Sequence, residues 1–570
     1  MNPSIYLKYN NSDEVQPSFN KMTFYEELYM DAKTEIIEQG QRIQIHIHPK
    51  QDVTIQELTI KLSHSFQADD EIFCNGFQSQ TESLVYSPNE SLPVLGGLVG
   101  SKWHQLGNYR HPLLKDLSAN LHSWTYSHIR QASGQYLLIG SLAENTGFTI
   151  IKHCCNQNII KISWEATDFK IGHSFPALDI VILKGKEEVV FNQYFGLMES
   201  KVGREILPLR SGISVDTEVE GSFLQEQVSA FGAQGIPFDL VMVQGGYPLA
   251  IGDWLTGAGN APQGIPTAAK TIHSTSLKAG IHIAPFLCSR NSDFYKNKKE
   301  CLLKDATGQV VKIKNAAAAG GYYYVLDYYN KAVSDYLSTL LTALTQQWSY
   351  DFISLDWLHI ICLYPPPNKT MGQVMCEALD FLQDRCGSTP LIASSVPLGA
   401  AFGRVAYCQL AAYPIGSWKS SWLSWNRVRE RGTALASIPT QLNRRHAVNR
   451  IFRQAPSLMI AGSTLSRYSI NQQQTLLVVN SLSGAGFIIT RDGTTEESEE
   501  HIAEFRQSVV DQMSHIKRVS KLEPQVYQIT FSNNDINWIT YLNLQRSKAT
   551  LSHNGRRMEL QSCESIYLKF

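Results

Sequence analysis

Hydrophobic and polar positions follow two different rhythms along this chain. From residue 1 to about 205, apolar and polar residues alternate in short segments, for example 42–47, 136–139 and 159–164. Polar or glycine-containing turns separate these segments. Alternation of this kind predicts strands with one buried face, and many such strands in succession are typical of an antiparallel β-sandwich.

From about residue 206 the pattern changes to apolar runs that alternate with longer amphipathic stretches. Helical spacing of apolar residues appears at 267–278, 332–348 and 371–385. Repeated β-then-α units predict a parallel sheet, and about eight of them close a barrel. An open doubly wound sheet is the alternative, but no glycine-rich phosphate loop follows an early strand. The apolar runs are 212–215, 238–243, 280–285, 350–355, 390–394, 405–410, 457–461 and 486–490.

The last segment returns to β alternation, as at 526–531 and 538–542, and predicts a small C-terminal sandwich. The fold expected for the whole chain is therefore multidomain, with α/β and β parts. The expected domains are an N-terminal β-sandwich at 1–205, a central (β/α)8 TIM barrel at 206–516 and a C-terminal β-sandwich at 517–570.

Composition narrows the class of protein. The 570 residues carry a net charge of −1, so the chain as a whole is not built to bind nucleic acid or an anionic membrane. No apolar run approaches the roughly 18 residues of a membrane span, and the N-terminus lacks the apolar core of a signal peptide. The ten cysteines show no recurring CxxC-like spacing, which favours free thiols in a cytoplasmic protein. No metal or organic cofactor is expected.

The most informative stretch is 350–357, in which an apolar run ends in a single carboxylate, Asp356. Barrel enzymes present catalytic groups at the carboxyl ends of their strands, so Asp356 is the candidate catalytic residue. Three tryptophans, Trp254, Trp357 and Trp418, are candidates for stacking against the ring of a ligand. The alternative for each tryptophan is a place in a hydrophobic core.

The second half of the predicted barrel is poor in acids and rich in bases. From Arg385 to Arg491 the only acidic residue is Glu430, which lies in a pattern typical of an exposed helix. Arg404 and Arg453 lie next to predicted strands, so they are the best candidates for binding an anionic ligand. The alternative is that the basic residues cover the outside of helices.

Five segments, in the right order between about 70 and 490, resemble motifs of the glycoside hydrolase family 36 α-galactosidases and the related raffinose-synthase-like proteins. In that family the motifs are Asn-Gly-Tyr-Gln-Ser-Trp, Gly-Asp-Trp, Gly-Ile-Trp-x-x-Pro-Phe, Leu-Asp-x-x-Asn-Pro and Lys-x-Asp-Phe. The similar segments of this chain are 75–79, 252–254, 280–286, 326–330 and 353–357.

The resemblance implies a retaining glycosidase. In this mechanism one carboxylate, here Asp356, attacks the anomeric carbon, and a second carboxylate protonates the leaving oxygen and then activates water. The resemblance also implies that Gln244 and Tyr247 line the pocket, because Gln244 stands at the strand-two position where the family grips sugar hydroxyls with Asp.

The departures from the family pattern concentrate at this pocket. Ser354 replaces a Lys, Gln80 replaces a Trp, and the segment 409–414, where the acid/base Asp is expected, contains no acid. His359 and Tyr364 lie just past the nucleophile and could supply a proton instead, although a structural role is the alternative.

Three functions therefore remain open. The first is an α-galactosidase-like hydrolase that acts on α-linked carbohydrate. The second is a catalytically weak or inactive relative that binds a carbohydrate or an anion, such as a phosphorylated or acidic sugar. This possibility follows from the missing acid/base, because proton donation by such a group is worth roughly 10²–10⁴ in rate. The third is an interaction scaffold. Family relatives often assemble through the N-terminal sandwich, so a homo-oligomer is a further expectation, which the loss of the Trp at Gln80 weakens.

Overall fold

The computed structural model describes most of the chain. The described residues form two antiparallel sheets at the N-terminus, a parallel sheet in the middle with a small three-stranded sheet beside it, and two small antiparallel sheets at the C-terminus. In this part of the chain, no helix is both long and apolar enough to cross a bilayer. The described residues are 3–92, 121–166, 168–200, 211–215, 225–226, 229, 240–244, 247–256, 264–315, 318–414, 418, 433–448, 450–455, 458–460, 468–484, 487–490, 515–533, 536–553 and 555–569.

The N-terminal strands form one six-stranded and one eight-stranded antiparallel sheet. The strands are β1 (Ser4–Tyr9), β2 (Met22–Phe24), β3 (Leu28–Ile37), β4 (Gly40–Pro49), β5 (Val53–Ser63), β6 (Glu71–Cys74), β7 (Leu84–Tyr86), β8 (Leu121–Trp124), β9 (Tyr126–Arg130), β10 (Tyr136–Ser141), β11 (Thr149–Cys154), β12 (Ile159–Trp164), β13 (Phe169–Ile171) and β14 (Phe175–Gly185). The first sheet has the order β1-β5-β12-β11-β8, with β13 also on β5, and the second has the order β2-β3-β4-β14-β10-β9-β6-β7.

Alternation along the strands explains why the two sheets pack together. In β4, Ile43, Ile45 and Ile47 are fully buried, and the polar residues between them are partly exposed. These isoleucines share one hydrophobic core with residues of the other sheet, such as Ile60 and Ile162. The two sheets therefore form a sandwich around a common core, as the sequence predicts.

An α-helix interrupts the region for which the sequence predicts only β structure. Helix α1 (Glu187–Glu199) follows β14 and buries Val190, Phe191, Tyr194 and Phe195. Apolar residues at this spacing lie on one face of a helix, so the prediction of β structure up to residue 205 is wrong for this segment.

The central strands form a nine-membered parallel sheet whose order closes on itself. The strands are β15 (Ser211–Val215), β16 (Leu240–Val243), β17 (Lys278–Ile283), β21 (Phe352–Leu355), β22 (Leu391–Ala393), β23 (Tyr407–Cys408), β24 (Arg453–Gln454), β25 (Leu458–Ile460) and β26 (Phe487–Thr490). Their order is β24-β23-β22-β21-β17-β16-β15-β26-β25. The edge strands β24 and β25 are consecutive in the chain and separated only by residues 455–457. The two edges of the sheet therefore lie next to each other along the chain. This strand order is that of a sheet closed into a barrel.

Barrel strands are apolar on both faces because both faces are covered. Leu240 and Met242 of β16 belong to a small interior cluster, whereas Val241 and Val243 belong to the large core shared with the surrounding helices. The helices that follow α1 are α2 (Gly264–His273), α3 (Asp293–Asn297), α4 (Lys331–Thr342), α5 (Met371–Cys386), α6 (Leu398–Ala401), α7 (Ala434–Arg444) and α8 (Ile470–Leu482). The strands of the small additional sheet are β18 (Leu287–Ser289), β19 (Lys312–Lys314) and β20 (Tyr322–Val325). The helix predicted at 267–278 is wrong at its C-terminal end, where Lys278 begins a strand.

The C-terminal segment is β structure, as predicted. Its strands are β27 (His515–Glu523), β28 (Val526–Asn533), β29 (Ile536–Asn543), β30 (Ala549–His553), β31 (Arg556–Leu560) and β32 (Ser565–Lys569). Four of them form the sheet β27-β28-β29-β32, and β30 pairs with β31. The predicted domain limit at 205 lies outside the described residues, so the exact limits stay predictions.

Candidate active site

The candidate catalytic carboxylate lies at the carboxyl end of a central barrel strand. Asp356 follows the last residue of β21, and its backbone N–H donates to the carbonyl oxygen of Ile283 at 3.0 Å. Ile283 ends the neighbouring strand β17. This backbone bond fixes the height of Asp356 above the barrel interior, where the side chain is half-buried.

Two hydrogen bonds hold one oxygen of this carboxylate. The Ser395 hydroxyl donates to Oδ1 at 2.6 Å, and the Trp357 backbone N–H donates to the same oxygen at 2.7 Å. Oδ2 accepts no hydrogen bond from the described residues. Bonds to a charged acceptor are stronger than neutral ones, so Oδ1 is anchored while Oδ2 is the oxygen available to a ligand.

The backbone beside the carboxylate is strained. Trp357 and Ser395 both adopt left-handed conformations, with φ of 57° and 51°. Such conformations in residues other than glycine cost of the order of 1–3 kcal/mol and cluster at functional sites. Two such residues, both bonded to one carboxylate, therefore add a structural observation to the sequence motifs at this part of the barrel.

A buried histidine supports Ser395 from behind. The backbone N–H and the Nδ1 of His359 both lie 2.9 Å from the carbonyl oxygen of Ser395. His359 is completely buried, and this burial lowers its pKa to about 4. The imidazole is therefore neutral at neutral pH, and its position favours a supporting role over the proton-donating role considered from the sequence.

A second histidine, which the sequence patterns do not predict to be functional, lies in the neighbouring strand of the sheet. His282 of β17 pairs in register with Ser354 of β21, and its Nδ1 lies 3.2 Å from the Ser354 hydroxyl. Burial lowers the pKa of His282, and the nearby Asp356 opposes this shift. The signal that could have found it is its place in the Gly-Ile-His segment, where the resembled family has Trp.

The strand-two residue Gln244 belongs to the same end of the barrel. Its side-chain amide donates to the Ser214 hydroxyl at 2.7 Å, and its backbone N–H donates to Val215. Together with the His282–Ser354 pair, this hydrogen bond gives the site neutral hydroxyl, amide and imidazole groups. Groups that can both donate and accept suit the hydroxyls of an uncharged sugar.

The segment where the family's acid/base Asp was expected instead brings amide and phenol groups. Gln409, immediately after β23, is fully buried, and its amide donates to Ala411 O at 2.7 Å and accepts from Gln80 at 3.3 Å. Burial and the proximity of Asp356 raise the pKa of Tyr413 above its usual range. The effect of Asp356 on Tyr413 places this end of the segment close to the carboxylate, and the segment itself contains no acid.

Tyr247 and Trp254 are part of the barrel's main core. Each is about 1% exposed, and their rings lie 5.7 Å apart. The Tyr247 hydroxyl and the Trp254 Nε1 have no hydrogen-bond partner among the described residues. The preceding residue, Asp253, accepts from the backbone N–H of Asp293 at 2.9 Å, so this segment also has a structural role.

The third tryptophan lies elsewhere. Trp418 is 3% exposed in a core cluster that also contains Tyr468, and its Nε1 donates to Leu544 O at 2.9 Å, next to the C-terminal strands. The structure does not bring it together with Asp356. Trp357, by contrast, is adjacent to Asp356, is half-buried and stacks on His359 with ring centroids 6.2 Å apart.

The two predicted arginines lie at the starts of strands rather than at their ends. Arg404 precedes β23 and donates to Asp380 of helix α5 at 2.7 Å. Arg453 is the first residue of β24. Because Asp356 follows the end of its strand, these arginines do not lie at the same end of the barrel as Asp356. Glu430 lies outside the described residues.

Metal ligation finds no support in the described ranges. No group of three or more His, Cys, Asp or Glu side chains within them is placed to hold a metal ion. The ten cysteines all belong to these ranges, and none forms a disulfide.

This chain is similar to known proteins in one segment of its sequence and in its architecture. The Melibiase family model matches residues 248–374, which include Asp356. The α-galactosidase TtGalA of Thermus thermophilus, solved with p-nitrophenyl α-D-galactopyranoside, is 18% identical with a TM-score of 0.65, over 90% of this chain and 98% of that chain. A variant of the α-galactosidase AgaA of Geobacillus stearothermophilus, solved with raffinose, is 11% identical with a TM-score of 0.59, over 99% and 88% of the two chains. The Lactobacillus brevis α-galactosidase is 10% identical with a TM-score of 0.56, over 100% and 87%.

These similarities agree with the motifs read from the sequence. At such low identity the solved structures establish the architecture, and the family model establishes the match in the segment around Asp356. The chain thus matches the melibiase family in the segment that carries Asp356 and has the multidomain fold of the glycoside hydrolase family 36 α-galactosidases.

Proposed function

We propose that this chain is a retaining glycoside hydrolase of α-galactosidase type, with Asp356 as its nucleophile. The observation that carries the proposal is the geometry of this carboxylate. Oδ1 is anchored by Ser395 and Trp357, and Oδ2 accepts no hydrogen bond from the described residues at the carboxyl end of the strands. Relatives with this fold were solved with p-nitrophenyl α-D-galactopyranoside, stachyose and raffinose.

The chemistry follows from this arrangement. Oδ2 of Asp356 attacks the anomeric carbon, the bond to the leaving oxygen breaks, and a glycosyl ester forms on the enzyme. Water then attacks the same carbon, the ester bond to Oδ2 breaks, and the water loses a proton to solvent. This step restores the Asp356 carboxylate and releases the sugar with its configuration retained. The Gln244–Ser214 and His282–Ser354 pairs offer neutral hydrogen-bonding groups, so we expect an uncharged sugar. Half-buried Trp357 is the candidate aromatic surface for its apolar face.

The preferred substrate is one whose leaving group needs little protonation. Asp356 is the only acid that perturbs the pKa values of His282, His359 and Tyr413 among the described residues. A second carboxyl would be required about 5–5.5 Å from the nucleophile for full retaining catalysis. Aryl α-galactosides should therefore be turned over faster than unactivated galactosides.

Hydrolysis of p-nitrophenyl α-galactoside by the wild type and by Asp356→Asn tests the proposal. We expect activity in the wild type and a loss of at least about 10³-fold in the variant, since the covalent step is removed. Asp335→Asn, which changes an exposed helix carboxylate paired with Lys331, is the matched control and should be as active as the wild type. Azide added to Asp356→Gly should restore release of p-nitrophenol by taking the place of the carboxylate.

A relative that binds sugar without turning it over is the second candidate function. The neutral surroundings of Asp356 favour this alternative, because within the part of the chain that the structure describes they offer no second carboxyl to protonate the leaving oxygen. Under this alternative, galactose or raffinose binds the wild type and Asp356→Asn with similar affinity in calorimetry, and no p-nitrophenol is released by either protein. Turnover that disappears with Asp356 would exclude it.

A further inference from the structure

We propose that Ser395 is the positioning residue of Asp356, and that the N-terminal sandwich fixes Ser395 in place across the domain interface. This inference rests on the proposed function of Asp356 as nucleophile. It concerns the contacts around Ser395, which connect a loop of the sandwich to the end of the barrel strand β22.

The first step is the hydrogen bond itself. Ser395 is about 5% exposed, and its hydroxyl donates to Asp356 Oδ1 at 2.6 Å. A second donor, the Trp357 backbone N–H, meets the same oxygen. Two donors on one oxygen determine the rotation of the carboxylate about its terminal bond. The direction in which Oδ2 points is thereby fixed before any substrate binds.

The second step is the support of Ser395 by His359. The carbonyl oxygen of Ser395 can only accept, so the Nδ1 of His359 at 2.9 Å must carry the proton. The backbone N–H of His359 donates to the same carbonyl. His359 therefore holds the peptide group of Ser395 with two bonds, and it lies only three residues beyond Asp356 in the chain.

The third step is the set of contacts by which the N-terminal sandwich holds the two residues that follow Ser395. The Ser79 backbone N–H donates to Val396 O at 2.8 Å, and the Val396 N–H meets the Ser79 hydroxyl at 3.4 Å. Gln78 forms an antiparallel bridge with Pro397. Phe77 contacts His359 edge-to-face, with ring centroids 6.5 Å apart.

A fully buried arginine locks this loop to the barrel. Arg444 at the end of helix α7 donates through Nη1 to Ser79 O at 2.5 Å and to Leu410 O at 2.8 Å. Its Nε donates to Asn75 Oδ1 at 2.9 Å. One guanidinium thus joins both ends of the 75–79 loop to the segment that follows β23. Leu410 is fully buried and belongs to the barrel's main core, so the loop is anchored to a packed part of the barrel.

These contacts explain how a strained residue persists at this place. Ser395 has φ of 51°, a conformation that survives only where the surroundings over-determine it. His359 holds it from the barrel side, and the sandwich loop holds its successor Val396. The active site is therefore completed within one chain by two domains, and Phe77 acts on Asp356 through His359 and Ser395.

The test separates the Ser395 hydroxyl from its backbone. Ser395→Gly removes the hydroxyl but suits the left-handed conformation, so we expect the melting temperature to stay the same or rise. We expect kcat for p-nitrophenyl α-galactoside to fall about tenfold to a hundredfold. KM should stay within about twofold, because the lost bond is to Oδ1 rather than to the oxygen that meets the substrate. Ser338→Ala, which changes a helix serine bonded to Ser334 O, is the control and should behave as the wild type.

A double variant tests the role of the sandwich. Phe77→Leu should lower kcat several-fold, and Phe77→Leu combined with Ser395→Gly should lose no more activity than Ser395→Gly alone, because both act through one hydrogen bond. Wild-type kcat in Ser395→Gly, or multiplicative losses in the double variant, would overturn the inference while leaving Asp356 as nucleophile. A wild type without turnover would overturn the proposed function and this inference together.

Discussion

Replacing Glu144 by glutamine is expected to stabilise this protein, and increasingly so as the pH rises. Glu144 lies where the N-terminal sandwich meets two barrel helices. A Cβ on Gly372 would lie 2.4 Å from the Glu144 carbonyl oxygen, and one on Gly399 would lie 2.7 Å from its Cγ. The side chain is 4% exposed, and neither carboxyl oxygen has a hydrogen-bond partner within the described residues.

The magnitude follows from the pKa of this carboxyl. Burial raises the pKa of Glu144 from 4.5 to about 8; the nearby Ser141 and Thr149, which make no well-formed hydrogen bond to the carboxyl, lower the pKa by less than burial raises it. In the unfolded chain the carboxyl loses its proton above about pH 4.5, whereas in the folded protein it keeps the proton up to about pH 8. Folding stability is therefore greatest below pH 4.5 and falls as the pH rises to 8. At about 1.4 kcal/mol per pH unit, the loss is about 5 kcal/mol at pH 8.

Urea denaturation at pH 5, 7 and 8.5 measures this effect. Glutamine keeps the shape of the side chain and cannot ionise, so the Glu144→Gln variant should gain little at pH 5 and several kcal/mol at pH 8.5 relative to the wild type. Glu38→Gln, at an exposed turn between β3 and β4, should show no such trend. A stability difference between Glu144→Gln and wild type that stays constant from pH 5 to pH 8.5 would refute the reasoning.

Three further substitutions test the packing of the barrel against its neighbouring domains. Arg444→Met should lower the free energy of unfolding in urea by about 3 kcal/mol or more, because several buried acceptors lose their donor. Gly399→Ala should cost about 1–3 kcal/mol in the same measurement, since its Cβ would meet atoms at 2.6–2.8 Å, whereas Gly196→Ala in helix α1, with nothing within 4 Å, should be neutral or slightly stabilising. Trp418→Phe should lower the melting temperature by removing the bond to Leu544 while leaving kcat unchanged, and a reduced kcat at full stability would place this residue at the substrate.

The fold could be predicted because its signals are local. Alternation over β3 to β5 and the apolar barrel runs depend on residues that are close in sequence, so the patterns survive without an alignment. Helix α1 was missed because it lies at the end of a long β region. Its spacing of Val190, Phe191, Tyr194 and Phe195 is a helical signal that the surrounding alternation obscured.

The site could be predicted only in part, for a related reason. Asp356 could be selected as a candidate from the sequence because a residue that follows a barrel strand lies at the end where barrel enzymes place their catalytic groups. Ser395 was not found, because it meets Asp356 from a strand that lies 39 residues further along the chain. The register of β21 with β22, and not any local pattern, brings the two together. Arg404 was selected for its position beside a strand, but sequence proximity does not tell which end of the strand a side chain serves.

Under the proposed function, the electrostatic surroundings of Asp356 favour its attack on the anomeric carbon. His359 is neutral because burial lowers its pKa to about 4, the pKa of His282 is also lowered, and that of Tyr413 is raised. Among the described residues no cation forms an ion pair with Asp356. Two unit charges 4 Å apart interact by about 4 kcal/mol at an effective dielectric constant of 20. A cation beside Asp356 would therefore weaken the attraction between the carboxylate and the positive charge that develops on the anomeric carbon in the transition state. Held by dipoles from Ser395 and Trp357, the charge of Asp356 stays available for that transition state.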